Sequence, residues 1–93
     1  MRTTKLTRNF KRDYRREQSG RLASKLDALL LEVTTLLAAD SQLPQRYVDH
    51  ALIGRWKDHR DCHIRPDLIL IYRKPDDATL ELVRLGSHSE LGL

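Results

Sequence analysis

Apolar residues recur every three or four positions along one stretch of the chain, between residues 22 and 37. This spacing places them on one side of an α-helix and predicts an amphipathic helix that ends near Ala39. Such a stripe could form the seam of a dimer, but a single short helix with another helix and strands beside it favours packing in the chain's own core. Its members are Leu22, Leu26, Leu29, Leu30, Val33, Leu36 and Leu37.

A shorter helix is predicted ahead of it, from about Arg8 to Gln18. Thr7 is a suitable N-cap residue, and the Ser-Gly pair at positions 19 and 20 breaks the pattern. Phe10 and Tyr14 are four residues apart and share one face of this helix, which we expect to dock on the core. The other faces carry mainly arginine and lysine.

Alternation of polar and apolar residues then predicts β-strands. Leu68–Tyr72, with the sequence LILIY, is apolar throughout and suits a central strand that is buried on both faces. Pro66 and Asp67 form a turn signal before it, so the preceding strand and this one most simply make an antiparallel hairpin. The other predicted strands are a short one around Thr3–Leu6, Arg60–Arg65 and Thr79–Leu85.

Together these elements predict an α+β fold, in which a short N-terminal strand and two helices precede an antiparallel β-meander that forms a small twisted sheet. If the last strand continues far enough, Arg84 and His88 point to the same side of it. The chain of 93 residues, 40% of them hydrophobic, is long enough for a single domain over residues 1–93. Its one cysteine, Cys62, and the lack of a leader or a long apolar run indicate a cytoplasmic protein outside the membrane.

Positive charge is concentrated near the N-terminus. Residues 1–30 hold nine Lys/Arg against three Asp/Glu, whereas residues 31–93 have a net charge of −2. A cationic segment of this kind favours a polyanion such as nucleic acid, or an acidic protein partner, although a solvated helix face would have the same composition. Aromatic residues make up only 5% of the chain, which argues against a surface for stacking bases and favours contact with the phosphate backbone.

Three of the four histidines lie between Asp49 and Tyr72, beside the apolar strand. Cleavage of RNA without a metal requires a base for the ribose 2′-hydroxyl, an acid for the departing 5′-oxygen and cations for the phosphate. Histidine suits both proton-transfer roles, and arginine suits the phosphate. The candidate residues for such a site are His50, His63, Asp67, Arg84 and His88.

A metal site is the alternative chemistry, because His59 and His63 are four residues apart with Cys62 between them. On a helix this spacing could chelate an ion. On the predicted strand the two histidines lie about 13 Å apart, which is too far for one ion. The segment also lacks the glutamate of the zinc-protease helix motif. We therefore expect chemistry without a metal or another cofactor.

The segment DHALIGRWKDHRDCHIRPDLILIY, residues 49–72, and the later segment VRLGSHSEL resemble the YafQ branch of the RelE-like bacterial toxins. The shared elements are D-H-x-L-x-G-x-W, R-D-x-H-x-x-P-D-x-x-L-I-Y and G-[ST]-H, in the same order. The resemblance extends over essentially the whole chain, including the basic first helix and the leucine-rich second helix. Several irregularly spaced elements in register are far more specific than any one motif.

This resemblance implies a small ribonuclease of a type II toxin–antitoxin system that cleaves mRNA in the ribosomal A site. It also implies a cognate antitoxin, of the DinJ or RelB type, that covers the active face. The catalytic residues implied are His50, His63, Asp67 and His88, with His88 as the general acid, and Arg84 near the scissile phosphate. The residues implied in binding ribosomal RNA are Arg8, Lys11, Arg12, Arg15 and Arg16.

The chain departs from the family at its end. The family commonly has an aromatic residue shortly after the last histidine, and that residue is thought to hold an mRNA base; here the sequence is Leu91-Gly92-Leu93. Gly92 has no side chain that could stack. The base could be held by one of the leucines or by another part of the protein, or the activity could be weakened. Two alternatives to the toxin nuclease are therefore a ribosome- or RNA-binding module without cleavage and a metal-dependent hydrolase.

Overall fold

The computed structural model describes residues 1–93 and contains one five-stranded sheet with the strand order β1-β5-β4-β3-β2. The predicted α+β class is confirmed. Two helices precede most of the sheet, and a short third helix follows it. The elements are β1 (Thr3–Leu6), α1 (Arg8–Gln18), α2 (Leu26–Ala38), β2 (His50–Ala51), β3 (Arg60–Arg65), β4 (Leu68–Arg73), β5 (Thr79–Gly86) and α3 (His88–Leu91), with 3-10 turns at Gln45–Tyr47 and Gly54–Trp56.

The LILIY segment forms the centre of the sheet, as predicted. Leu68–Arg73 pairs antiparallel with β3 on one side and with β5 on the other, and its first five residues are buried. The β3–β4 connection is a two-residue hairpin turn, since Arg65 pairs with Leu68. The sheet is mixed rather than purely antiparallel, because β1 pairs in parallel with β5. The α1 and α2 side of the sheet holds the main core, and the opposite side holds a smaller apolar cluster around Ile69, Ile71 and Leu91.

Helix α1 begins and ends where the sequence predicts. The hydroxyl of Thr7 accepts a hydrogen bond from the amide of Phe10 at 3.0 Å, so Thr7 is the N-cap. Phe10 is buried in the main core, and Tyr14 stacks on it. The helix therefore docks through the aromatic face that its spacing indicated.

Helix α2 begins one turn later than the apolar stripe predicts. Residues 21–25 form turns, and the helix begins at Leu26, while Leu22 packs partly against the core from the preceding turn. Within the helix, Leu26, Leu30, Val33 and Leu37 are buried in the main core. This favours the core interpretation of the stripe. None of the helices is long and apolar enough to cross a membrane.

The end of β5 differs from the prediction. The strand ends at Gly86, and Ser87 caps α3, so His88 begins a helix and does not continue the strand beyond Arg84. The reason is a capping box: the Ser87 hydroxyl accepts from the Glu90 amide while the Glu90 carboxylate accepts from the Ser87 amide. A bulge between β4 and β5 also interrupts the alternation before Arg84.

Candidate active site

The pairing of β2 with β3 assembles the first part of the site. His50 lies opposite Asp61 in this antiparallel pair, and His63 is two residues further along β3 on the same face. Next to His50, the carboxylate of Asp49 accepts a hydrogen bond of 2.6 Å from the buried hydroxyl of Tyr72 in β4. This bond holds the two-residue strand β2 against the centre of the sheet.

Asp61 is a buried carboxylate between two histidines. Its side chain is 4% exposed, and one oxygen lies 3.1 Å from Nδ1 of His50 and 4.0 Å from Nε2 of His63. Burial raises the pKa of Asp61, although the neighbouring imidazoles oppose this effect. Sequence reasoning named Asp61 only as a neighbour of the rejected metal site. The missing information was the strand register, which places His50 directly opposite it.

The ring of His50 has a defined orientation. Its Nδ1 lies 2.8 Å from the carbonyl oxygen of Val48 and 3.1 Å from the carboxylate of Asp61, and both of these groups accept hydrogen bonds. Nδ1 is therefore the protonated nitrogen of a neutral ring, and Nε2 is free to accept a proton. The exposed position of the side chain, at 49%, leaves this nitrogen accessible to a ligand.

His88 and Asp67 form the second part of the site, as the sequence suggested. Asp67, in the β3–β4 turn, accepts hydrogen bonds from Nδ1 of His88 at 2.8 Å and from the backbone amide of His88 at 3.1 Å. The bond from the His88 ring, followed by the amide bond, lowers the pKa of Asp67 below its ordinary value. The carboxylate thus orients the imidazole so that its Nε2 faces away from the turn.

The three histidines form one continuous group. The ring centroids of His50 and His63 are 6.3 Å apart, and those of His63 and His88 are 5.2 Å apart with an edge-to-face arrangement. His63 is the most enclosed, at 20% exposed, whereas His88 is 45% exposed. All four predicted catalytic residues therefore lie together, and Asp61 joins them. Such a group can both remove and supply protons within the length of one nucleotide.

Arg84 lies beside the site but is bound to helix α1. Its Nε and Nη2 contact the fully buried carboxylate of Asp13 at 2.7 and 3.3 Å, and the amide of Leu85 also donates to this carboxylate. Burial raises the pKa of Asp13, but these bonds outweigh it and the net pKa is lowered. Nη1 of Arg84 has no protein partner. The phosphate contact expected of Arg84 could therefore involve only this nitrogen.

Arg16 differs from the other cations of α1. Its three nitrogens contact the carbonyl oxygen of Leu85 at 2.7 Å and the carboxylates of Asp13, Glu17 and Glu90 at 3.1 to 3.2 Å. The expectation that Arg16 binds RNA is therefore corrected: its guanidinium fastens α1 to β5 and α3. The remaining cations share one exposed face without an ion-pair partner, and they are Arg8, Lys11, Arg12 and Arg15.

The residues considered for a metal site are separated in the structure. The ring of His59 packs edge-on against Trp56, with centroids 5.4 Å apart, whereas His63 joins the other two histidines. Cys62 is fully buried in the main core, and burial raises the pKa of its thiol. No group of three or more His, Cys, Asp or Glu side chains has an arrangement that suits a metal ion.

The C-terminal residues have structural roles. Leu91 is fully buried against Ile69 and Ile71, so it cannot contact a base. Gly92 has a φ of 71° and forms the C-cap of α3, a conformation that favours glycine. Of the two leucines that were considered, only Leu93 is exposed, at 41%.

A family model described as the YafQ bacterial toxin of type II toxin–antitoxin systems matches residues 2–92. Among curated proteins, a putative toxin YafQ from Haemophilus influenzae is 48% identical over 54 residues, which cover 55% of this chain and 53% of that protein. An mRNA interferase toxin YafQ from Escherichia coli is 46% identical over 59 residues, 63% of each chain. The aligned segments thus span about half to two thirds of these relatives' lengths.

Solved structures match over nearly the full length. A copper-bound mutant toxin from Helicobacter pylori has a TM-score of 0.86 and 41% identity, covering 98% of this chain and 99% of that one. YafQ from E. coli has a TM-score of 0.84 and 34% identity, covering 98% of both chains. The E. coli DinJ–YafQ complex matches with a TM-score of 0.82 and 35% identity over 98% of both chains.

Proposed function

The chain belongs to the YafQ family of toxins from type II toxin–antitoxin systems, and on this basis we propose that it is an endoribonuclease that cleaves mRNA in the ribosomal A site. The observation that carries this proposal is the continuous group of His50, His63 and His88 with its two carboxylates, Asp61 and Asp67. It contains proton donors and acceptors for strand cleavage. The nucleophile is the 2′-hydroxyl of the RNA itself.

The reaction proceeds by in-line displacement at phosphorus. A base removes the proton of the 2′-hydroxyl, and the resulting oxygen bonds to the adjacent phosphorus. The bond from phosphorus to the 5′-oxygen breaks, and an acid gives that oxygen a proton. The products are a 2′,3′-cyclic phosphate and a 5′-hydroxyl end. Each well-placed acid or base contributes roughly a hundred- to ten-thousand-fold to the rate.

We assign the general acid to His88 and the general base to His50. The Nδ1–H group of His88 donates to Asp67, so a protonated ring presents Nε2–H to the departing oxygen. In His50 the contacts with Val48 and Asp61 occupy Nδ1 and leave Nε2 as the acceptor. His63 and Nη1 of Arg84 then stabilise charge on the phosphate between them.

The exposed cations of α1 support binding to ribosomal RNA. Side chains at this spacing lie on one helix face, and phosphate groups attract such a stripe without regard to base sequence. The E. coli relative is found in a complex with DinJ. By analogy, an antitoxin of the DinJ or RelB type binds this chain and covers the histidine group, and the complex would form in the cytoplasm.

The test is to map mRNA 5′ ends after the purified protein is added to programmed ribosomes. We expect new 5′-hydroxyl ends at A-site codons, and we expect His88→Ala to abolish them while it retains the wild-type circular dichroism spectrum. His59→Gln is the matched control, since His59 lies outside the group. Unchanged cleavage by His88→Ala would refute its role as the acid.

The same experiment separates the other functions. A module that only binds would inhibit translation and leave no cut ends. The H. pylori relative is copper-bound in one structure, so protein stripped of transition metals by a chelator before addition provides the third arm. Cleavage that is lost on stripping and restored by a metal would favour the metal-dependent hydrolase. Retained cleavage supports acid–base catalysis by the histidines alone.

A further inference from the structure

The chain has five aromatic residues, and none offers a free ring face beside His88. Phe10, Tyr47 and Tyr72 are at most 4% exposed. Tyr14 stacks on Phe10 at the far side of the sheet from the histidines. Trp56 is partly buried in the small apolar cluster with Leu91 and is in contact with other side chains. A nucleotide held at this site therefore has no aromatic side chain to stack on.

The side chain of Arg55 provides a planar group in that place. Arg55 is exposed, and its guanidinium carbon lies over the ring of Trp56, 5.3 Å from the centroid. Its Nη2 is 3.4 Å from the carbonyl oxygen of Leu91, a group at the C-terminal end of α3. Arg55 lies in the 3-10 turn that begins at Gly54, whose φ of 68° turns the chain towards α3.

The same guanidinium adjoins Gly92. A Cβ atom built on Gly92 would lie 3.3 Å from Nη2 of Arg55, so a side chain at this position would compete with the arginine for space. Because α3 is a single turn, its C-terminal end is about 6 Å along the axis from His88, roughly the distance from one nucleotide to the next in an extended strand. Arg55 thus borders the histidine group on the side where α3 ends.

We propose that Arg55 is a specificity-determining residue, which stacks its guanidinium on the RNA base next to the scissile phosphate. This inference rests on the proposed ribonuclease function. Guanidinium planes stack on unpaired bases and also attract the adjacent phosphate. The ring of Trp56 beneath holds the plane, and the carbonyl oxygen of Leu91 orients it, so little side-chain freedom is lost when the base binds.

Three variants test the proposal in the ribosome cleavage assay, with rates and cut positions measured for each. We expect Arg55→Ala to reduce kcat/KM at the preferred codons about tenfold and to broaden the set of codons that are cut. Arg55→Lys retains the charge but has no planar group, so its codon preference should match that of Arg55→Ala. Lys57→Ala removes a nearby exposed charge and should cleave like the wild type.

The outcomes separate this inference from the function on which it rests. A wild-type protein that produces no cut ends refutes both. Wild-type cleavage together with an unchanged rate and codon preference in Arg55→Ala refutes only the role of Arg55. Full recovery in Arg55→Lys would also overturn it, since charge alone would then be sufficient. Thermal unfolding of each variant checks that α3 remains docked, and equal Tm values with altered codon preference support the proposal.

Discussion

Substitution of Gly86 by alanine should release helix α3 from the rest of the fold. A Cβ atom at this position would lie 2.7 Å from Nη2 of Arg16 and 3.1 Å from a carboxylate oxygen of Glu90. Arg16 must then move, and it loses its bond to the carbonyl oxygen of Leu85 and its ion pair with Glu90. Since Glu90 belongs to α3, the helix that begins with His88 loses one of its attachments.

The size of the effect follows from these contacts. A hydrogen bond to a charged group contributes about 1.5–3 kcal/mol. The Arg16 side chain is 39% exposed, which reduces the value, and its flexible end can move without displacing the backbone. We expect Gly86→Ala to lower the free energy of unfolding by about 1–2 kcal/mol, and a domain of this size loses roughly 4–8 °C of Tm per kcal/mol.

A double-mutant cycle with Arg16→Ala isolates the cause. Without the guanidinium the added methyl group has room, so Gly86→Ala should be nearly neutral in that background, and the coupling energy should be about 1–2 kcal/mol. Urea denaturation gives the four free energies, and ribosome cleavage well below the Tm reports whether His88 is displaced. Arg12→Ala is the stability control, because this arginine is exposed and unpaired on the same helix.

Additive effects in the cycle would refute the reasoning. They would mean that the methyl group acts on the strand itself and not through Arg16. Cleavage at the wild-type rate by a destabilised Gly86→Ala variant would likewise show that the position of α3 does not depend on the Arg16 contacts.

Three further predictions concern the charged groups. Burial raises the pKa of Asp61, so its contribution to stability is present at low pH and is lost as the pH rises through that pKa; Asp61→Asn should raise the Tm at pH 7 but not at pH 3, and should reduce cleavage. His88 lowers the pKa of Asp67, so the contribution of Asp67 is present at neutral pH and lost in acid; urea denaturation should find Asp67→Asn slightly less stable than the wild type at pH 7 and equal to it at pH 2. Each exposed α1 cation replaced by glutamine should lower the logarithmic salt slope of ribosome binding by about 0.7–0.9 per phosphate contact, with Arg21→Gln as the control; the residues are Arg8, Lys11, Arg12 and Arg15.

Much of the fold is encoded in short-range patterns. The spacing of Leu26, Leu30 and Val33 predicts a core-facing helix, and the LILIY run predicts the central strand, because burial of one face or of both faces imposes its own period on the sequence. The Pro-Asp turn predicts the hairpin that presents Asp67, since its backbone preferences are local. The short helix α3 also has a local signal, the Ser87 and Glu90 capping box, which was not used to predict it.

Sequence alone thus determined the α+β class, the main elements and the histidines, together with Asp67, that make up most of the candidate site. Only the tertiary structure decided that Asp61 lies opposite His50 and that Arg16 is a structural cation. The physical reason is the same in both cases. Each depends on pairing between segments that are distant along the chain, through the register of β2 on β3 or the packing of α1 on β5, and no local spacing of residues contains this information.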